Sequence, residues 1–277
     1  MTICNLCKTK LATQKNSHIF PRFLGTSMLI TQDGLRKGYK ITNFNGLNYK
    51  AYQDTPKEDY IFCPDCESFI ASKYETPIAN QLYNNRENPR SFFYVYVKGR
   101  YLYRVYHMVD YQLFTKFLYS IIFRAAISNN DHFKNFKIPK AFLEKIRKIL
   151  LEEIPYERFP LLVLSCPYNT NPTGNFIGAI SSKKNSYLIG VNEYIILLDL
   201  SNESHFGHLF QGMSEEKYEL VRILTLPYDK WLSLIKDTVF GPVIEKLIKS
   251  IIIKTLIDNL FINKLLKLNA TQLGRFS

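Results

Sequence analysis

The sequence predicts an α+β protein in three regions: a zinc-stapled module at residues 1–90, a hairpin and helical middle at 91–160, and a mixed strand–helix region at 161–277. Two observations predict this arrangement. Two C-x-x-C pairs lie near the amino terminus, and the second runs into a helical pattern, as in treble-clef zinc modules. The apolar spacing then changes from alternation to repeats of three and four after residue 110, and returns to strand-like runs after 160.

Composition favours a polyanionic partner. The chain has 277 residues, 46% of them hydrophobic and 22% charged, which is the balance of a folded protein rather than a disordered one. Its net charge of +12 excludes an acidic mimic and favours nucleic acid first and a membrane surface second. Most of the positive excess lies in residues 1–160, so we expect the footprint there.

The sequence shows no targeting or membrane-spanning segment. The first residues become polar too soon for a signal peptide. The most apolar stretch, residues 247–261, is interrupted by Lys249, Lys254 and Asp258, which are costly in a bilayer. We therefore predict a cytoplasmic protein without integral membrane association.

Four of the five cysteines form two metal-binding knuckles. Cys4 and Cys7 are separated by 55 residues from Cys63 and Cys66. Four thiolates complete the tetrahedral shell of structural Zn²⁺, and cysteines in a reducing compartment are more often metal ligands than disulfides. The alternative is four reduced cysteines that happen to fall in pairs. Cys166, in an apolar run, is predicted to be a buried hydrophobic residue.

A histidine motif between the two cysteine pairs carries a resemblance. Residues 17–21 read Ser-His-Ile-Phe-Pro, and with both C-x-x-C pairs they resemble the zinc-stapled HNH (ββα-metal) endonucleases. The resemblance implies that His18 is a general base, and that Ser17 and Glu67 hold one catalytic divalent ion: Mg²⁺, Mn²⁺ or a second Zn²⁺. Ser17 stands where the family usually has Asp, Glu or His, and Glu58 stands near its usual Asn.

Glu75 is a further acid on the helix that carries Glu67. Eight helical residues advance about 12 Å, so we do not expect Glu75 to share one ion with Glu67. A third ligand would then come from a loop residue such as Asp54 or Asp59.

A closer resemblance covers residues 1 to about 155. The same motifs, followed by Arg-Phe-Leu at 22–24 and by helical segments near 110–128 and 146–151, are similar to an uncharacterised group of bacterial proteins of similar length. This likeness implies the fold and the order of the regions more than an activity.

The middle region is predicted to be a β-hairpin over 91–109 followed by two helices, one from Tyr111 and one from Pro139 that ends before Pro155. Arg100 and Arg104 could face nucleic acid beside tyrosines, or could lie on an ordinary sheet edge. Arg124, on the first helix, could reach a phosphate or form an ion pair. Arg22, just after the histidine motif, is a further candidate for contact with nucleic acid.

The carboxyl-terminal region is predicted to contain strands between 161 and 200 and helices over 228–268, which we expect to contribute recognition, homo-oligomer contacts or contacts with a protein partner. The leading hypothesis is an HNH-like endonuclease that cleaves DNA rather than RNA, in phage defence or as a toxin. The alternative is a non-catalytic zinc module that binds nucleic acid or protein.

Overall fold

The structure of the protein is a computed structural model. It describes residues 2–25, 30–32, 35–41, 49–52, 54–85, 88–97, 100–131, 133, 136–165, 176–181, 185–200 and 220–225. Cys166, the predicted helices over 228–268 and the side chain of Arg100 lie outside this part of the chain.

The amino-terminal region is built on a short two-stranded ladder. Strand β1 (Ser17–His18) pairs antiparallel with β5 (Lys57–Glu58), so that Ser17 faces Glu58 and His18 faces Lys57. A short helix, α1 (Arg22–Gly25), follows β1. The long spacer between the cysteine pairs contributes an antiparallel three-stranded sheet of β2 (Ile30–Gln32), β3 (Leu35–Ile41) and β4 (Tyr49–Tyr52).

The helix predicted at the second cysteine pair is present. Helix α2 (Pro64–Ile70) begins directly after Cys63, and Pro64 occupies the first turn, where its missing N–H is not needed. The helical path continues through a π-helical turn (Ala71–Glu75), a short helix α3 (Thr76–Ile78) and a second π-helical turn (Ala79–Tyr83). The chain thus forms two short strands followed by a helix, with a cysteine pair at the start of that helix.

The middle region has the predicted hairpin and helices. Strands β6 (Phe92–Val97) and β7 (Arg100–Tyr106) pair antiparallel. Helix α4 (Tyr111–Ile127) begins at Asp110, whose carboxylate accepts the Leu113 N–H at 2.8 Å as an N-cap. Helix α5 (Lys140–Leu150) begins directly after Pro139.

A seven-stranded mixed sheet takes its strands from both sides of residue 160. Its remaining members are β8 (Leu161–Ser165), β9 (Phe176–Ser181), β10 (Ser186–Asn192), β11 (Tyr194–Asp199) and β12 (Val221–Thr225). The strand order is β6-β7-β12-β8-β11-β10-β9, parallel between β12 and β8 and antiparallel elsewhere. The chain is therefore an α+β protein, and the division predicted at residue 160 falls within one sheet.

Helix α4 lies in the middle of the core. Nearly every residue from Phe114 to Ala126 is buried, including the polar Ser120 and Arg124. Its Phe123 ring stacks on Phe62 of the amino-terminal region, with 6.2 Å between ring centroids. One hydrophobic cluster runs from the cysteine knuckles through α4 to the large sheet. Within the described ranges, no helix is both long and apolar enough to cross a membrane.

A charged contact joins the first π-helical turn, α4 and the end of α5 at the surface. Glu152 accepts hydrogen bonds from Lys116 (2.8 Å) and Lys73 (2.5 Å). These lysines lower the pKa of Glu152 from 4.5 to about 2. Because the folded state favours the Glu152 carboxylate, its contacts with the two lysines stabilise the fold fully above about pH 4.5. This stabilisation is lost as the pH falls towards 2.

We predict that Glu152→Gln lowers the urea midpoint of unfolding at pH 7, and that the difference from wild type shrinks as the pH is lowered from 5 to 3. The matched control is Glu157→Gln, which removes a surface contact with Lys145 alone and is expected to change the midpoint less. A difference between Glu152→Gln and wild type that stays constant from pH 7 to 3 would contradict the assignment.

Candidate metal centre and the adjoining histidine

The four predicted cysteine ligands converge. The Sγ atoms of Cys4, Cys7, Cys63 and Cys66 all lie within 4.8 Å of one another. The first knuckle is closed by hydrogen bonds from Cys4 N to Lys10 O and from Lys8 N to Cys4 O. The second knuckle is the start of α2. Cysteines 56 and more residues apart in sequence could thus hold one metal ion, such as zinc.

Two of the four thiols are unfavourable to ionise without a cation. Burial raises the pKa of Cys63 and of Cys66. Cys7 is also partly buried, yet hydrogen bonds from the Thr9 side chain and backbone lower its pKa to about 6. A divalent ion that accepts thiolates favours the deprotonated form of all four, so the donor set fits Zn²⁺ better than a hard cation.

His18 lies on β1 as a half-buried imidazole. Its Nδ1 is 2.6 Å from Thr55 Oγ1, a contact that fixes the ring. Burial lowers the pKa of His18 below its usual value of 6.5; the charges of Lys57, Arg124 and Arg22 act in the same direction, and that of Asp54 opposes them. The ring is therefore uncharged at neutral pH.

Thr55 is held against Gly25 at the end of α1. A Cβ atom added to Gly25 would lie 1.9 Å from Thr55 Cγ2, so only glycine fits at this position without moving Thr55. This contact could not be predicted from the sequence, because neither residue belongs to a motif.

The acidic residues of the helical segment meet a buried arginine. Arg124 of α4 is 1% exposed, and its Nη1 donates to Glu75 Oε1 at 2.5 Å and to the His18 carbonyl oxygen at 3.0 Å. Its Nη2 lies 3.3 Å from Glu67 Oε1. The guanidinium carbon is 5.6 Å from the centroid of the Phe62 ring. Of the two roles predicted for Arg124, the structure shows the ion pair.

Glu67 and Glu75 therefore share one cationic partner, which the helical rise alone did not predict. The π-helical turn over Ala71–Glu75 changes the register of the chain between them, and a guanidinium is wide enough to contact two carboxylates. Burial is the main reason that the pKa of Glu75 is raised, with Arg124 opposing the shift.

Within the part of the chain that the structure describes, Ser17 Oγ, Glu67 Oε2 and Arg124 Nε are buried and have no hydrogen-bond partner. Ser17 is 1% exposed. Glu58 stands near the position where HNH endonucleases usually have Asn. Its carboxylate accepts hydrogen bonds from Ser128 Oγ (2.5 Å) and from Asn129 N (3.0 Å), both of which follow α4. Glu58 thus ties β5 to the end of α4.

The other arginines predicted to contact nucleic acid differ in exposure. Arg22 is exposed beside the His18 strand. Arg104 is buried on β7, with its guanidinium carbon 5.3 Å from the Phe92 centroid and 5.6 Å from that of Tyr94. Strand β7 lies between β6 and β12 rather than at a sheet edge, and Arg104 is 8% exposed.

A buried arginine that the sequence analysis did not single out supports the first knuckle. Arg147 of α5 donates to the Leu6 carbonyl oxygen at 2.8 Å and pairs with Glu144 and Glu153. The apolar spacing around Arg147 predicts only a helix, so this contact has no local signal.

Comparisons with known proteins found no match: no family model, no curated protein and no solved structure is similar to this chain. The likeness to HNH endonucleases therefore rests on the motif residues themselves. The fold and the four-sulfur cluster define an α+β protein with a candidate metal centre.

We predict one zinc ion per purified chain by elemental analysis, lost on Cys63→Ala together with a large drop in thermal stability. Structural zinc contributes on the order of 10 kcal/mol to small modules, so the loss should be easily measured. Cys166→Ala is the control and should retain zinc. Full zinc content in Cys63→Ala would contradict the cluster.

We also predict that Gly25→Ala lowers the free energy of unfolding by about 1–3 kcal/mol, because the new methyl group displaces Thr55. Thr55→Ser removes the obstructing Cγ2 and keeps the oxygen that contacts His18. In the Thr55→Ser background, most of the cost of Gly25→Ala should disappear in urea unfolding. Equal costs in both backgrounds would show that the contact is not the cause.

Proposed function

We propose that this chain is a zinc-stabilised endonuclease of the HNH type that cleaves phosphodiester bonds in DNA. The observation that supports it best is the setting of His18. It lies on the first strand of a β-β-helix unit, and its carbonyl oxygen shares the Arg124 guanidinium with Glu67, the residue that follows the last cysteine of the four-sulfur cluster. It is neutral, half-buried and fixed through one ring nitrogen.

In this proposal His18 is the general base. The tautomer with a proton on Nδ1 donates to Thr55 Oγ1, which leaves Nε2 with a lone pair to accept a proton from the attacking water. The lowered pKa keeps His18 unprotonated at neutral pH, and Thr55 keeps the ring oriented while the proton moves.

Glu67 and Ser17 are the residues that would hold a divalent ion, since the buried Glu67 Oε2 and Ser17 Oγ have no protein partner. Bound there, Mg²⁺, Mn²⁺ or Zn²⁺ would stabilise the charge that develops on the phosphate and the leaving oxygen. Glu67 is the stronger ligand, because a carboxylate binds a hard cation better than a hydroxyl does.

The charge of the chain supports a nucleic-acid substrate. A net charge of +12 favours a polyanion, and exposed Arg22 follows His18 closely enough to lower its pKa electrostatically. The preference for DNA over RNA and a role in phage defence or as a toxin follow from the resemblance alone. A cytoplasmic setting belongs to the same proposal.

The second candidate is a non-catalytic zinc module that binds nucleic acid or a protein partner. A specific observation favours it: the buried Arg124 guanidinium already forms ion pairs with both Glu67 and Glu75. A chain that uses these carboxylates only to anchor α4 needs no second metal ion. This candidate keeps the zinc cluster and the basic surface but not hydrolysis.

The test is plasmid nicking by the zinc-loaded chain with Mg²⁺ or Mn²⁺. We predict that His18→Ala lowers the nicking rate by about 10²-fold or more, because a positioned general base contributes at least that much. His107→Ala is the matched control, since His107 is exposed after β7, and should nick at the wild-type rate.

Equal nicking by wild type and His18→Ala, or none across both metals, would overturn the endonuclease proposal. Binding of DNA that weakens steeply with salt, without cleavage, would favour the second candidate.

A further inference from the structure

A cationic side chain already occupies the place where the proposed function requires a metal ion. Arg124 bridges Glu67 and Glu75 and also donates to the His18 carbonyl. All three acceptors are oxygens, two of them carboxylates, which is the ligand chemistry of Mg²⁺ and Mn²⁺. The side chains of Glu67 and Glu75 are only 23% and 16% exposed, so water solvates them poorly.

The arginine leaves this group of acceptors incompletely satisfied. Glu67 Oε2 and Ser17 Oγ are buried without a hydrogen-bond partner, and Ser17 directly precedes the residue whose carbonyl contacts Arg124. A planar guanidinium has donors only in its own plane, so it cannot supply every oxygen around it. A spherical cation has no such restriction, and it can draw ligands from several directions.

We propose that Arg124 and a divalent cation are alternative partners of the Glu67 carboxylate, at a site where the guanidinium also contacts Glu75 and the His18 carbonyl oxygen. In the resting chain Arg124 fills the site, and a hard divalent ion binds only when the guanidinium leaves both carboxylates. This inference rests on the proposed function and deepens it, because it makes the affinity of the endonuclease for its catalytic ion depend on its own central helix. The unpartnered Glu67 Oε2 is where the incoming ion first finds a ligand.

The proposal predicts a weak apparent affinity in the wild type. A site that is open in only a small fraction of molecules binds its ligand more weakly by that fraction. Replacement of Arg124 by a neutral side chain removes the competitor and leaves two poorly solvated carboxylates together. Such a variant should bind Mn²⁺ at least about tenfold more tightly than wild type, and Mn²⁺ should stabilise it.

The experiment compares zinc-loaded wild type and Arg124→Met by Mn²⁺ titration, followed by electron paramagnetic resonance and by thermal unfolding. Mn²⁺ does not displace zinc from thiolates, so the zinc cluster is undisturbed. Arg147→Met is the matched control: it also removes a buried arginine, but its partners Glu144 and Glu153 are 45% and 44% exposed. It should show no gain in Mn²⁺ affinity.

We expect Arg124→Met to bind Mn²⁺ at least about tenfold more tightly than wild type. Wild type should show the same spectroscopic and thermal changes at higher Mn²⁺ concentrations. Glu67→Gln should abolish Mn²⁺ binding in both wild type and Arg124→Met. Equal affinity in wild type and Arg124→Met would overturn the proposal. So would a wild type that never responds to Mn²⁺, because Arg124 would then be a permanent replacement for the ion.

If Arg124→Met does not fold, Arg124→Lys decides the matter, since lysine keeps the charge but contacts one carboxylate at a time. It should bind Mn²⁺ more tightly than wild type, and equal or weaker binding overturns the proposal. Nicking measured in parallel separates the two ideas. Tighter Mn²⁺ binding by Arg124→Met without nicking would overturn only the endonuclease proposal. Nicking at the same Mn²⁺ concentration by wild type and Arg124→Met would overturn only the proposed competition between Arg124 and the ion.

Discussion

The buried guanidinium of Arg124 is the interaction on which the arrangement of the amino-terminal region depends. An uncompensated charge in a protein interior is very unfavourable, so Arg124 must be met by acceptors wherever α4 carries it. Those acceptors come from two other elements, the helical segment of Glu67 and Glu75 and the strand of His18. The position of α4 and the position of His18 are therefore set by the same contacts.

Two devices of different chemistry fix the helix that follows the second cysteine pair. At its start, four converging sulfurs bring the two knuckles together. Further along, the carboxylates of Glu67 and Glu75 form ion pairs with Arg124. Arg147 adds a third connection by donating to the Leu6 carbonyl within the first knuckle. Both helices of the middle region thus send a buried arginine into the amino-terminal region. The knuckles are not an independent finger, since part of their hydrogen bonding comes from residues more than 100 positions away.

Local signals in the sequence were enough for the parts of the fold that depend on neighbouring residues. The paired cysteines, the hairpin near residue 100 and the helices from Tyr111 and Lys140 follow from spacing, turn residues and proline, and the structure has them. Strand β12 was not predicted from the sequence, because the predicted strands of this region end at residue 200. Strand order could not be predicted either, because β7 pairs with a strand more than 100 residues later.

The candidate site was predictable only in its motif residues. His18, Ser17 and Glu67 stand in recognisable patterns, whereas Thr55 has no local signal and becomes relevant only through its contact with the ring. The rise of a regular helix predicts that Glu75 lies far from Glu67, and the π-helical turn between them cannot be deduced from the residue types there. The exposure of Arg104 and Arg124 depends on which strands and helices surround them, which composition does not reveal.

The position of β12 in the large sheet has a consequence for synthesis on the ribosome. This strand lies between the hairpin β6–β7 and the group β8 to β11, and it is the last of the seven to be made. Until residues 221–225 have emerged, the two halves of the sheet have unpaired edges facing each other. The cysteine knuckles and the helices α4 and α5 have all been synthesised before that point. They can therefore fold before β12 completes the sheet.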